Sequence, residues 1–274
     1  MGDMSSLSPQ PVGHLLREWR QRRRLSQLDL AVEANISTKH LSFLETGRSA
    51  PSRDMLLHLA EQLAIPLREQ NILLVAAGYA PSFPERSLDD PALDAARQAI
   101  NLVLTGHEPY PALAIDCHWT LMRANRAVPP LLVGTDAALL QPPVNVVRLS
   151  LHPAGLAPRI ANYREWRAHL LARLRRQIEL SADPVLVELL REVTEYPPPR
   201  STGTSQPARP RAVAEVVVPL QLTTDDGLLS FISTTTIFGT PRDITVSEVA
   251  LESFFPADAV TAETMRRRLA GGTA

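Results

Sequence analysis

Between residues 20 and 53 the chain concentrates side chains that suit a polyanion. A cationic run, Arg20, Arg22, Arg23 and Arg24, precedes Gln27, Ser37, Thr38, Lys39, Ser42, Arg48, Ser52 and Arg53, with Phe43 as an aromatic among them. Guanidinium and ammonium groups neutralise phosphates. Amides and hydroxyls fix a protein on the sugar-phosphate backbone, and lysine also meets the acceptor edge of guanine. A phenyl ring on such a surface suits the methyl group of thymine, and its competing role is packing on a neighbouring side chain. The candidate DNA-contacting residues are therefore Arg23, Gln27, Ser37, Thr38, Lys39, Ser42, Phe43, Arg48, Ser52 and Arg53.

Short helices must hold these groups. Val12, Leu15, Leu16 and Trp19 share one helical face over Val12 to Arg24. Ser26 reads as an N-cap with Asp29 three residues on, and Leu28, Leu30, Ala31 and Ala34 are expected inside. Asn35 stands where a left-handed residue is needed, and Ile36 plugs the space between two helices. Ser37 caps the next helix, Thr38 to Thr46. There Leu41 and Leu44 point inward, so Thr38, Lys39, Ser42 and Phe43 point out. Glu45 is expected to bond back to an arginine or to the preceding helix. Gly47 ends this helix, and Ser52 caps a fourth from Arg53 to Leu63.

Composition sharpens the contrast between the two parts of the chain. The 274 residues carry a net charge of -1. Residues 11–53 hold eight basic against four acidic side chains, a local +4, and the remainder is -5. A basic head on an acidic body is the footprint of a nucleic-acid module joined to another domain. Lys39 is the sole lysine, which reads as a bias of bacterial genome composition. One cysteine, Cys117, excludes an internal disulfide and a multi-cysteine metal site. The first ten residues lack the order of a signal peptide, and no apolar run approaches the roughly 18 residues of a membrane span. The expected setting is the bacterial cytoplasm, on the nucleoid when bound to DNA.

The first part resembles the phage-repressor-type helix-turn-helix of the xenobiotic-response-element (XRE) family. The residues that carry the likeness are Ser26, Gln27, Leu30 and Ala31, then Ile36-Ser37, Leu41-Ser42, and Leu44, Glu45, Gly47, Pro51 and Ser52. Asn35 replaces the usual glycine. The resemblance covers about residues 12–78, with a fifth helix from Leu67 to Ala77. It implies an all-α five-helix domain that binds near-palindromic operators as a homodimer.

Beyond a linker at 80–91, a helix is expected from Pro91 to Thr105. Strands follow at Pro111–His118 and Trp119–Asn125, split by a turn. Pro129 to Pro143 reads as irregular, and helices as running from Ile160 to Ser181 and from Pro184 to Glu195. Strands return at Val213–Thr223, Leu228–Phe238 and Ser247–Phe254, after a mobile proline-rich loop at 197–211. Two strands, helices and three strands describe an α+β domain with an antiparallel sheet. It resembles the PAS-like ligand-binding domain of MmyB-like transcription regulators, on Asp116, Trp119 and Asn125, on Asn145, Arg148, Leu149, His152 and Pro153, on Trp166, Arg173, Arg175 and Arg176, and on Phe254 to Asp258. The resulting division is 1–79 for DNA binding, 92–265 for the ligand, and 266–274 as a disordered tail. The resemblance implies a small hydrophobic ligand, with fatty acids a candidate class. Cys117, Leu121, Leu149, Trp166, Phe231 and Phe254 are its candidate contacts, each with plain core packing as the competing role.

Catalytic and metal chemistry finds little support. Adjacent strand residues point to opposite faces, so Cys117 and His118 cannot grip one ion together. Haem held through His118 is the minor alternative. Seven histidines occur without HxxxH or HExxH spacing, and no nucleophile elbow or phosphate-binding glycine loop is present. The expectation is a ligand-responsive regulator without enzymatic activity, cofactor, metal or membrane partner. Repression is favoured over activation because effector-released repression needs no polymerase contact. A DNA-bound protein whose second domain only dimerises is the other alternative.

Overall fold

The structure is a computed structural model, and it describes residues 11–199 and 217–271. The chain divides into two compact units. One comprises residues 1–86 with the short segments 179–181 and 241–247, and the other comprises the rest.

Five helices build the first unit: α1 (Val12–Arg22), α2 (Gln27–Glu33), α3 (Thr38–Glu45), α4 (Arg53–Gln62) and α5 (Leu67–Ala76). Local chemistry sets where three of them begin. Ser26, Ser37 and Ser52 each accept a backbone N–H with the side-chain oxygen, from Asp29, His40 and Met55, and Ser26 with Asp29 closes a full capping box. Each such cap is worth about 1 kcal/mol. Asn35 turns the chain at φ 51° and Gly47 at φ 72°. Leu16, Trp19, Leu30, Ala31, Leu41, Leu44, Leu56, Leu59, Leu73 and Leu74 form one apolar core. Gly13 lets α1 approach α3, because a Cβ there would lie 2.3 Å from the Leu44 carbonyl oxygen.

Two details depart from the sequence reading. The first helix stops at Arg22, and Arg24 adopts φ 59° in the turn that follows. Leu28 is 61% exposed and faces solvent. Helix α2 has only two turns, and its core contact is supplied by Leu30, Ala31 and the capping residue Ala34.

The second unit is built on a five-stranded, all-antiparallel sheet in the order β2-β1-β5-β4-β3, from β1 (Ala112–Ile115), β2 (Leu121–Ala124), β3 (Leu220–Thr224), β4 (Gly227–Ile237) and β5 (Ala250–Pro256). The remaining helices of the chain are α6 (Asp94–Gly106), α7 (Val146–Leu151), α8 (Tyr163–Ser181), α9 (Pro184–Glu195), α10 (Ile244–Glu248) and α11 (Ala259–Gly271), of which the last three residues of α8 and all but the last of α10 count with the first unit. Strand alternation splits the core. Leu113, Ile115, Ala250, Phe254, Leu229 and Phe231 face the main cluster with Trp166, Leu170 and Leu174 of α8, Leu186 and Leu189 of α9, and Met265 of α11. On the other face Ala112, Ala114 and Leu251 meet Ile100 and Leu104 of α6.

The hairpin turns follow their signals. Asp116 Oδ1 accepts from the N–H groups of His118 and Thr120, Trp119 takes φ 66°, and Gly227 turns at φ 104°. The α+β reading stands, with corrections at the edges. Residues 266–271 belong to α11 instead of a disordered tail, because Met265 and Thr264 bury against the core. The last strand begins at Ala250, after the short helix α10, and not at Ser247 as the sequence pattern suggests. Helix α7 has only six residues, too few to leave a periodic signal in the sequence. Residues 200–211 of the expected proline-rich loop, residues 213–216 of the expected strand and residues 272–274 lie outside the described residues. Among the described residues no helix is long and apolar enough to cross a membrane.

Candidate nucleic-acid interface

Helix α3 has two faces of opposite character. Leu41 and Leu44 are fully buried, while Thr38 and Lys39 are exposed and Ser42 and Phe43 are half-buried. Two cations lie over the Phe43 ring, Lys39 Nζ at 5.6 Å and Arg48 Cζ at 5.8 Å from its centre. The competing role of Phe43, packing on a neighbour, therefore resolves into contacts with charged side chains.

A buried ion pair fixes this helix. Arg20 is 7% exposed and Glu45 8%. Arg20 Nε donates to Glu45 Oε1 at 2.6 Å and Nη2 to Oε2 at 2.9 Å, while Nη1 donates to the Leu25 carbonyl at 2.8 Å. Gln27 Nε2 adds a hydrogen bond to Glu45 Oε2 at 2.8 Å. Burial pushes the Glu45 carboxyl upward. Hydrogen bonds from Arg20 and Gln27, with the charges of Arg20 and Arg17, outweigh it and hold the group below the usual carboxylate range. The hydrogen bond to Glu45 correspondingly raises the Arg20 guanidinium against its own burial. Glu45 therefore ties α1, α2 and α3 together and turns inward, as expected of it.

The remaining candidates divide by what they touch. Arg48 is exposed beside Phe43, and Ser37 and Ser52 spend their oxygens as caps while exposed. Gln27 is half-buried and gives one N–H to Glu45. Arg53 Nη2 donates to Ser82 Oγ at 2.8 Å.

Arg23 is placed differently from the sequence reading, which gave it to phosphate. Its Nε donates to the Leu63 carbonyl at 2.7 Å and its Nη2 to that of Ala64 at 2.8 Å, the open carbonyls where α4 ends. Burial, with the charge of Arg22, lowers its pKa. Arg23→Ala is therefore expected to cost the first domain roughly 1–3 kcal/mol, chiefly through the charge-assisted hydrogen bonds lost to the Leu63 and Ala64 carbonyls. The salt dependence of DNA binding stays unchanged in a titration at several ionic strengths, whereas loss of a phosphate contact lowers that slope by about 1.

In the second unit the six candidate ligand contacts do not form one set. Trp166 and Phe231 are 4% and 1% exposed, and Phe254 meets Phe231 edge-to-face with centroids 6.4 Å apart. These three share the main core. Trp166 Nε1 is satisfied by Ser150 Oγ at 2.9 Å. Leu149 is buried on α7, and Leu121 is half-buried on the edge strand β2. Cys117 is half-buried in the β1–β2 turn, with Sγ 3.4 Å from Glu248 Oε2. His118, the alternative haem ligand, has Nε2 2.7 Å from Asp183 Oδ2. An open hollow of about 400 Å³ lies elsewhere, lined by Pro109, Arg126, Arg266, Leu269 and Ala270.

The sheet also carries a buried polar group whose partners local sequence pattern does not reveal. Glu252, 4% exposed, shares its face of β5 with Ala250 and Phe254 and is hydrogen-bonded by Arg173 of α8 and Thr235 of β4. The Arg173 guanidinium also covers the Trp119 ring at 4.7 Å. Burial, with the charge of Arg173, holds the adjacent His169 below the usual imidazole range. An acidic residue at a core-facing position of an alternating strand was the available signal.

Comparisons with known proteins bear on both units. A helix-turn-helix family model matches residues 16–70. A second model, described as the ligand binding domain of MmyB-like transcription regulators, matches residues 96–267. The curated HTH-type transcriptional regulator RghRB of Bacillus subtilis, itself uncharacterized, is 38% identical over 76 residues, which are 27% of this chain and 52% of that protein. The chain thus spans about half the length of that relative. A solved RNA-binding light-oxygen-voltage receptor aligns over 95% of this chain and 64% of its own at 14% identity, with a TM-score of 0.25, too low to carry an argument. With one family model on the two-faced helices of the first unit and the other spanning most of the second, the chain belongs to the MmyB-like transcription regulators.

Proposed function

We propose that the protein is a sequence-specific regulator that sets α3 in the major groove of a near-palindromic operator, binds as a homodimer, and answers to a small hydrophobic ligand in its second domain. The observation that carries the reading is the division of α3, with Leu41 and Leu44 fully buried and Thr38 and Lys39 open to solvent. A helix of this kind, held against the domain by a buried pair, is the element that reads base edges. Arg48 and the exposed Arg17 and Arg24 supply the electrostatic component.

The ligand would act by binding one arrangement of the dimer better than another, and each tenfold shift in operator affinity requires about 1.4 kcal/mol of that difference. A fatty acid is the class proposed, and ligand-released repression the mode. The second reading, a domain that serves dimerisation alone, is favoured by the close packing of Trp166 and Phe231. Capture of the protein from its cells and mass spectrometry of what co-purifies separates the two, since a defined apolar molecule supports a sensor and an empty domain does not. Selection from random duplexes tests the DNA half. An enriched inverted repeat is expected, and failure to enrich any sequence would refute it.

A further inference from the structure

Among the described residues, Phe43 is the apolar side chain of α3 that joins neither the buried network nor the apolar core, unlike Leu41 and Leu44. It is half-buried, lies outside the core of its domain, and has the ammonium of Lys39 and the guanidinium of Arg48 for ring neighbours. Resting on the placement of α3 in the major groove, we infer that Phe43 makes operator affinity depend on the C5-methyl group of a pyrimidine.

Each group is drawn to a different feature of the groove. A cation over an exposed ring gains only about 0.5–1 kcal/mol, so phosphate oxygens or a guanine O6/N7 edge draw Lys39 and Arg48 away. The ring they uncover needs an apolar partner, and in the major groove the apolar group on an unmodified base edge is the thymine methyl. Lys39 and Phe43 are four residues apart, about 6 Å along a helix axis, while base pairs stack every 3.4 Å. The methyl-bearing base therefore sits one or two base pairs from the guanine or phosphate that Lys39 takes.

The test uses the full chain and the selected operator, with each invariant thymine of a half-site replaced in turn by uracil, which removes only the methyl. At one thymine, affinity is expected to fall about four-fold per half-site, the transfer value of one buried methyl. A 5-bromouracil probe, whose bromine fills the methyl's place, restores it. In Phe43→Ala the thymine and uracil operators bind alike. An operator without an invariant thymine, equal wild-type affinity for every uracil probe, or the same four-fold loss in Phe43→Ala each overturns the inference. All three are read on a protein that has already selected an operator, so they are distinct from failure of the DNA-binding reading itself.

Discussion

Glu45→Ala is expected to destabilise the first domain by about 3–5 kcal/mol. Removing the carboxylate leaves the Arg20 guanidinium buried without a counter-charge and strips Gln27 of its acceptor. Small domains hold only about 5–15 kcal/mol in total, so the loss consumes a large share. Amide hydrogen exchange locates it. Protection should collapse across α1, α2 and α3 and persist in β4 and β5. The same pair makes stability depend on pH. The carboxyl titrates lower in the folded domain than the ordinary value of 4.5, so its contribution is present above that value. It is lost as pH falls through the folded value, and Glu45→Gln should flatten this acid limb. A variant as stable as wild type would mean that the pair does not fix α3.

Phe231→Ala is the counterpart in the second domain, with an expected cost of about 3–5 kcal/mol. The ring is fully buried on β4, with Phe254 edge-on to it and α8, α9 and α11 supplying the rest of the cluster. A packed interior cannot close over the missing phenyl, so the loss includes both transfer and cavity terms. Hydrogen exchange of the β4 and β5 amides reads it out. A cost below about 1 kcal/mol would instead show that Phe231 borders space already open, which turns the residue from core into ligand wall.

These two residues also show how far a sequence carries. Glu45 was legible because the positions around it are governed by local rules: Ser26, Ser37 and Ser52 cap helices within three residues of themselves, and Asn35 takes a conformation its short side chain tolerates. Arg23 was not legible in the same way. A charged run next to a groove-reading motif suggests phosphate, but its partners, the carbonyls of Leu63 and Ala64, lie about forty residues away and appear only when α4 ends beside it. Leu28 went astray because a seven-residue helix offers too few turns to settle a face. In the second domain, the structure brings Phe231 and Phe254, two of the six candidate contacts, edge-to-face in one core. The Arg173–Glu252 pair spans 79 residues and depends on the packing of α8 over the sheet. Long-range polar pairing is where local pattern stops being informative.

The most direct measurement is a titration of the full chain, wild type and Lys39→Ala, against its selected operator and an unrelated duplex. Lys39 is exposed on the open face of α3 and takes no part in the Arg20–Glu45–Gln27 network, so the substitution leaves the fold intact. Operator binding is expected to weaken by about 1–3 kcal/mol per half-site, with far less change on the unrelated duplex. Unchanged operator affinity in Lys39→Ala would contradict the placement of this face in the groove.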